Sequence, residues 1–276
     1  MNTTLRYTTT VADDRHANAL TVTANGQARW FLGSNRDQRN QGVGFFEAAL
    51  DPPLLQRLMA TAQSPDLASS PSQVSLLPDE AYRRIELKQN EAPLLDKLVG
   101  SQITAPAAFV LAETVLSEAI ARATGVPQQV LALRLSPPVS TVHAGARLRL
   151  ELVLLNAGKT PLRMAGPPQW GEQAVAATVQ LLRDDVATAM LRPADQHFMP
   201  LAAAQFVAAE PALRNAQLRL APGERVQLRF ELNLGLPVGR YRMEVNLETG
   251  VQDDNGQPLF DAGLFTPPVL INVQRR

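Results

Sequence analysis

The sequence contains no cysteine. That excludes disulfides, zinc thiolate centres, Fe–S clusters and thiol nucleophiles. Histidine occurs only at His16, His143 and His197, and lysine only at Lys88, Lys97 and Lys159. An excess of either charge is missing too. The 26 Lys+Arg balance the 26 Asp+Glu, so no net field draws in nucleic acid or an anionic bilayer. No apolar run approaches the ~18–20 residues of a transmembrane helix. The start, Met1-Asn2-Thr3-Thr4-Leu5-Arg6-Tyr7, lacks a basic segment followed by an apolar one. The expected location is therefore cytoplasmic, or periplasmic or secreted if a signal peptide has been removed.

What is abundant is alanine, leucine and arginine. With 276 residues and 45% hydrophobic content, core size does not limit stability. At ~100–200 residues per domain the length suggests two domains. The arginine bias suits phosphate or carboxylate recognition, since guanidinium offers a planar, bidentate fork. Codon usage in a GC-rich genome produces the same bias.

Hydrophobic spacing supplies the organisation. Leu20, Val22 and Ala24, then Asn25-Gly26, then Ala28, Trp30 and Leu32 read as a hairpin with a tight turn. Residues 33–44 are polar and aperiodic, which predicts a flexible loop or an irregular strand edge. Asp51 and Pro52 open a helix carrying Leu54, Leu55, Leu58, Met59 and Ala62. A long connection covers 63–78, a strand 82–88, and Asn90-Glu91 turns it into a partner beginning near Pro93. A second helix follows over 106–123, with Ala108, Ala112, Val115, Leu116, Ala119, Ile120 and Ala123 as its stripe, ended by Gly125 and Pro127. The expectation is an α+β domain, ββαββα, over 1–127.

After Pro127 the period changes to two. Leu148 to Leu154, Val175 to Leu181, Val226 to Leu234, Tyr241 to Leu247 and Val269 to Val273 alternate, separated by Gly/Pro/Asn/Asp turns. Residues 128–276 are thus expected to form an all-β, immunoglobulin-like antiparallel sandwich. Its irregularity is an insertion at 184–215, in which 201–209 is alanine-rich and predicts a short helix.

The stretches Asn156-Ala157-Gly158-Lys159-Thr160-Pro161, Ala221-Pro222-Gly223-Glu224 and Gly239-Arg240-Tyr241 resemble recurring elements of bacterial immunoglobulin-like sandwiches. In such folds the tyrosine hydroxyl bonds back to a backbone corner. The same arrangement is similar to the BsuPI type of intracellular subtilisin inhibitor, which here would be interrupted by the 184–215 insertion. The ββαββα half resembles the emfourin type of metalloprotease inhibitor, with residues 79–87 falling where that family has its Asp-x-x-x-Tyr strand, although only two residues separate Asp79 from Tyr82. Emfourins have an early glycine-rich segment, for which only Gly33, Gly42 and Gly44 are comparable. No inhibitory residue carries over from either family.

No two histidines share a helix turn or alternate strand positions, so no metal pair is expected. His197 with Asp195 and a serine would make a triad, but Gly-x-Ser-x-Gly is missing. Asp184-Asp185 and Asp253-Asp254-Asn255-Gly256 offer oxygen ligands for calcium, but the second lacks the spaced Asp-x-Asp-x-Asn-Gly ladder and reads instead as a hairpin turn. Phosphate loops of either glycine-rich kind are absent. The outward arginines Arg147, Arg149, Arg229, Arg240 and Arg242 share faces with Glu151, Glu231 and Glu244, as a mixed-charge ladder would.

The expected function is therefore a non-enzymatic protein-binding module, with a protease inhibitor acting through surface loops as its sharpest form. No cofactor, metal or nucleic acid is expected, and the partner is a protein. Residues 33–44, 165–173 and 184–215 supply the loops. Arg36, Arg39, Trp170, His197 and Phe198 are the candidate contacts. Two alternatives stand beside this: an envelope or assembly protein binding through sandwich edges, and an enzyme with a site assembled between the domains.

Overall fold

A computed structural model describes residues 2–11, 16–73, 75–136, 140–171, 175–187, 190, 192–207, 211–233 and 235–275. Of the described residues, 50% are strand and 18% helix, with antiparallel sheets. The chain divides into two compact units. One holds residues 1–34 and 44–128, and the other holds 35–43 and 129–276.

The first unit contains β1 (Thr3–Thr9), β2 (Asn18–Thr23), β3 (Gln27–Leu32), β4 (Val43–Ala49), α1 (Pro52–Ala62), α2 (Pro65–Ser69), β5 (Tyr82–Gln89), β6 (Ala92–Gly100) and α3 (Ala107–Thr124). Its strand order is β4-β3-β2-β1-β5-β6, all antiparallel. Two strands stand beyond the ββαββα expectation. β1 has only Leu5 and Tyr7 as inward apolar residues between threonines, and β4 follows directly on the polar segment. Gly26 has φ 85°, but Asn25 is not at positive φ, so the hairpin forms without the type I′ turn that Asn-Gly favours, which needs positive φ at both residues. Asp51 caps α1 by accepting from the Leu54 amide at 2.9 Å. On α3, Phe109 rather than Ala108 joins Ala112, Val115, Leu116, Ala119 and Ala123 in the core.

One polar cluster ties α3 to the sheet. The Tyr7 hydroxyl donates to Glu113 at 2.6 Å, and Arg83 pairs with the other Glu113 oxygen at 2.8 Å. Burial, and then the Glu113 carboxylate, raise Tyr7 above the ordinary tyrosine value. The raised value means that the unfolded chain loses this proton first as pH rises. Stability from Tyr7 is complete below about pH 10 and is lost above it. Urea unfolding from about pH 9 to about pH 11 is expected to show this decline, and Tyr7→Phe to flatten it. The residual slope belongs to Tyr241, which burial also raises.

The second unit contains β7 (Pro127–Ser136), β8 (Thr141–His143), β9 (Arg147–Asn156), β10 (Leu162–Ala165), β11 (Val175–Arg183), β12 (Gln196–Pro200), β13 (Gln217–Leu220), β14 (Arg225–Asn233), β15 (Gly239–Gln252), β16 (Pro258–Phe265) and β17 (Val269–Gln274). One sheet runs β14-β9-β7. The other runs β12-β11-β15-β10-β13, with β16 and β17 also on β15 and β8 parallel to β17. Buried residues alternate on both: Leu148, Leu150, Leu152 and Leu154 with Leu228, Phe230 and Leu232, and Tyr241, Met243, Val245 and Leu247 with Val179 and Leu181. The Tyr241 hydroxyl donates to the Pro237 carbonyl at 3.0 Å, closing the backbone corner.

The 184–215 region departs from expectation. Its described part forms β12 and single turns at Pro193–Asp195, Ala203–Gln205 and Pro211–Arg214 rather than a helix over 201–209. Ala208 and Ala209 lie outside the described residues, as do Leu234 and Glu172.

The segment 35–43, expected as a flexible loop or an irregular strand edge within residues 1–127, is ordered and groups with the second unit. It folds into consecutive turns (Gln38 N to Asn35 O, Gln41 N to Gln38 O). Asn35, fully buried, anchors it. Its amide donates to Gln41 O at 2.8 Å and Phe265 O at 3.0 Å, and its carbonyl accepts from Phe265 N at 2.6 Å. Gly42 lies so close to β7 that a Cβ there would stand 2.7 Å from the Leu131 carbonyl.

Candidate functional site

The anchored segment carries Arg36 and Arg39 onto the outer face of the β11–β15 sheet. The register pairs Gln180 with Glu244 and Leu182 with Arg242, so all four side chains share that face. Nearby the sheet is interrupted. β16 ends at Phe265, Thr266 accepts from the Val245 amide through its side chain, and Pro267-Pro268 lead into β17. Proline offers no amide to the ladder, so the chain turns away there. The result is a cleft of about 440 Å³ lined by Arg36, Arg39, Gln180, Leu182, Arg242, Glu244, Phe265 and Pro268.

Its electrostatics are cationic. Arg39 pairs with the buried Glu244 carboxylate, and its Nε donates to the Arg36 carbonyl at 3.1 Å, which aims the guanidinium. Arg36 lies over the Phe265 ring, 5.4 Å from its centroid. Burial, then the like charges of Arg242 and Arg36, lower Arg39 from the ordinary arginine value, opposed by Asp37. Such crowding of guanidiniums around one carboxylate favours an additional anion.

The five expected contacts fall in different places. Arg36 and Arg39 meet in the cleft. Phe198 is 58% exposed on β12 and opposite Gln180, which places it on the same face. His197, one residue earlier, points the other way; its ring meets Tyr241 edge-on at 6.1 Å, and its Nε2 is buried without a hydrogen bond. Trp170 is only 1% exposed, stacked on Phe230 at 5.3 Å with its indole N–H on the Ala165 carbonyl. Trp170 is thus buried rather than outward, because its large apolar ring gains from burial and its single N–H has found a carbonyl, while the half-buried His197 ring turns toward Tyr241. Arg242 and Glu244 were legible only as ladder members. Their alternation showed the face, but nothing local showed that residues 35–43 would cover it.

Other candidate chemistry resolves into structure. Arg149 pairs with Glu231 at 3.0 Å and Arg229 with Glu151 at 3.4 Å across β9 and β14, so that ladder is ionic. Arg240 pairs with Asp184 at 2.7 Å, and Arg183 with Asp185 at 2.8 Å. Asp253 accepts from the Asn255 and Gln257 amides, as a turn residue does. Asp254 is held by Arg219 and Arg163, which bring its carboxyl down to about 2. Among the described residues, no group of three His, Cys, Asp or Glu is placed to hold a metal ion. No described helix is long and apolar enough to cross a membrane.

Comparison with protein-family models gives no match. Curated protein sequences give none at a significant level. Solved structures with partial likeness include Pseudomonas fluorescens alkylpurine DNA glycosylase AlkC bound to abasic-site DNA, at 12% identity and TM-score 0.28, over 57% of this chain and 33% of that one. This chain therefore spans about a third of that protein. A CARDB domain from Pyrococcus furiosus in complex with di-metal ions matches at 12% identity and TM-score 0.24, over 53% and 90% of the two chains. A PapD-like domain of human CEP192 matches at 11% identity and TM-score 0.28, over 53% and 84%. Superpositions this loose assign no activity to this chain.

Proposed function

We propose that this chain is a non-enzymatic protein-binding module. In this reading the second unit is an immunoglobulin-like sandwich, and its contact surface is the outer face of β12, β11 and β15. The supporting observation is that an exposed Phe198 shares one face with the cleft of Arg36, Arg39 and Arg242. Arginine and aromatic side chains are the types that carry most interface energy. Phe198 and Arg242 stand on strands, and Arg36 and Arg39 on turns anchored by Asn35, so little ordering entropy is lost on contact.

The test is capture from cell extract by the immobilised chain, followed by chemical cross-linking and mass spectrometry. At least one protein is expected to bind the native chain and to bind Phe198→Ala about ten-fold more weakly. Arg225→Ala, on the exposed face of β14, serves as the control and is expected to retain it. Identical captured sets for all three proteins would remove the reading. The inhibitor form is tested separately, with intracellular serine proteases and thermolysin-like metalloproteases. Undiminished proteolysis at molar excess of this chain would remove that form alone.

A second reading, strand addition in an envelope or assembly protein, is favoured by β12. It is the terminal strand of its sheet, five residues long. Backbone pairing there would survive Phe198→Ala and be lost on insertion of a second proline beside Pro200.

A further inference from the structure

Resting on the proposed protein-binding reading, we infer that the cleft of Arg36, Arg39 and Arg242 is a receptor for a side-chain carboxylate on an acidic segment of the partner protein. Three features carry this. The cleft already seats one carboxylate, Glu244 on Arg39, so its fork geometry fits that group. Three guanidiniums, Arg36, Arg39 and Arg242, share the lining with one carboxylate, Glu244, and Asp37 acts on Arg39 from beside it. The remaining walls are Leu182, Phe265 and Pro268, apolar surface for the methylene stem of a glutamate, with the Gln180 amide as an additional polar contact. A volume of about 440 Å³ accommodates one or two side chains, not a folded domain.

In this arrangement Glu244 is an internal competitor. It holds Arg39 in place while the cleft is empty and shares it when an acidic side chain enters. Replacing Glu244 by glutamine keeps the shape and a hydrogen-bond acceptor while removing the competing charge. Affinity for an incoming carboxylate is then expected to rise, an outcome that a purely structural role for the pair does not produce.

The experiment measures binding of a fluorescent hexaglutamate peptide to the full chain at low ionic strength, with hexaglutamine, acetate and inorganic phosphate as further probes. Hexaglutamate is expected to bind at least ten-fold more tightly than hexaglutamine, and to weaken as salt shortens the Debye length from about 30 Å to about 10 Å. Arg242→Gln is expected to weaken it about ten-fold, and Glu244→Gln to tighten it several-fold, as loss or gain of one charge-assisted contact implies. Circular dichroism checks that each variant folds, and Arg36→Gln replaces Glu244→Gln should the latter not fold. Equal binding of hexaglutamate and hexaglutamine, indifference to Arg242→Gln, or binding of phosphate without the peptide would each overturn the inference. A partner captured through Phe198 but not displaced by hexaglutamate would overturn it as well, leaving the protein-binding reading intact.

Discussion

Asn35→Ala is expected to destabilise the second unit by about 3–5 kcal/mol, because three buried hydrogen-bonding groups lose their partner at once. The substitution orphans the Gln41 and Phe265 carbonyls and the Phe265 amide, and at 0% exposure water cannot replace the lost amide without opening the site. The Asn35 main-chain bond to the Gly263 carbonyl is unaffected. The loss goes beyond stability, since Asn35 positions the turns from which Arg36 and Arg39 reach the sheet. Thermal unfolding should fall by roughly 10 °C. Binding of acidic peptide should fall further than the fraction unfolded explains. Asn40→Ala, at an exposed position of the same segment, is expected to change stability by less than about 0.5 kcal/mol. Equal behaviour of the two variants would show that the segment is not held by this side chain.

The same residue shows where sequence reasoning stops. Strands of the second unit were legible because Leu148 to Leu154 and Tyr241 to Leu247 alternate, and alternation follows from the two-residue period of a pleated strand. The Asn25-Gly26 hairpin and the α1 cap at Asp51 were legible for equally local reasons. By contrast, residues 33–44 show no period, because turns are held by backbone and amide bonds rather than by an apolar face. Asn35 lies 230 positions from Phe265, and nothing between them announces the contact. The site inherits this limit. Arg36 and Arg39 could be chosen for their charge, but Arg242 and Glu244 became part of a cleft only through a long-range fold. Trp170 and His197 show the opposite limit: each lies in polar or irregular sequence, yet the Trp170 ring stacks on Phe230 and the His197 ring meets Tyr241. β1 was missed because Leu5 and Tyr7 are its only large inward side chains, and threonine supplies the rest of its strand preference.

Asn156→Asp is expected to be more damaging than Asn156→Ala at neutral pH, although aspartate is nearly the same shape. Asn156 is fully buried at the end of β9. Its amide donates to the Thr160 carbonyl at 2.8 Å and the Leu220 carbonyl at 2.9 Å, while its own carbonyl accepts from the Gly158 amide at 2.9 Å. Three segments are joined: the 156–160 turn, the end of β13, and the 221–224 turn through the bond from Gly223 N to Asn156 O. Alanine removes the three side-chain bonds and leaves their partners unsatisfied, a cost of about 3 kcal/mol or more. Aspartate keeps the acceptor for Gly158 but replaces two donors by an anionic oxygen facing two carbonyl oxygens. That charge is buried and has only one donor, so its desolvation adds to the repulsion. Protonation relieves both and restores one O–H donor, so the aspartate variant must have its folded-state value raised above the ordinary ~3.9. The sign of linkage then differs from that of most carboxylates: the deficit relative to the native chain shrinks as pH falls toward 4 and grows above it, while the alanine deficit stays level. Urea midpoints from about pH 4 to about pH 8 measure this directly. A flat aspartate deficit across that range would mean that the side chain turns out to solvent and that the three-way joint does not depend on its amide.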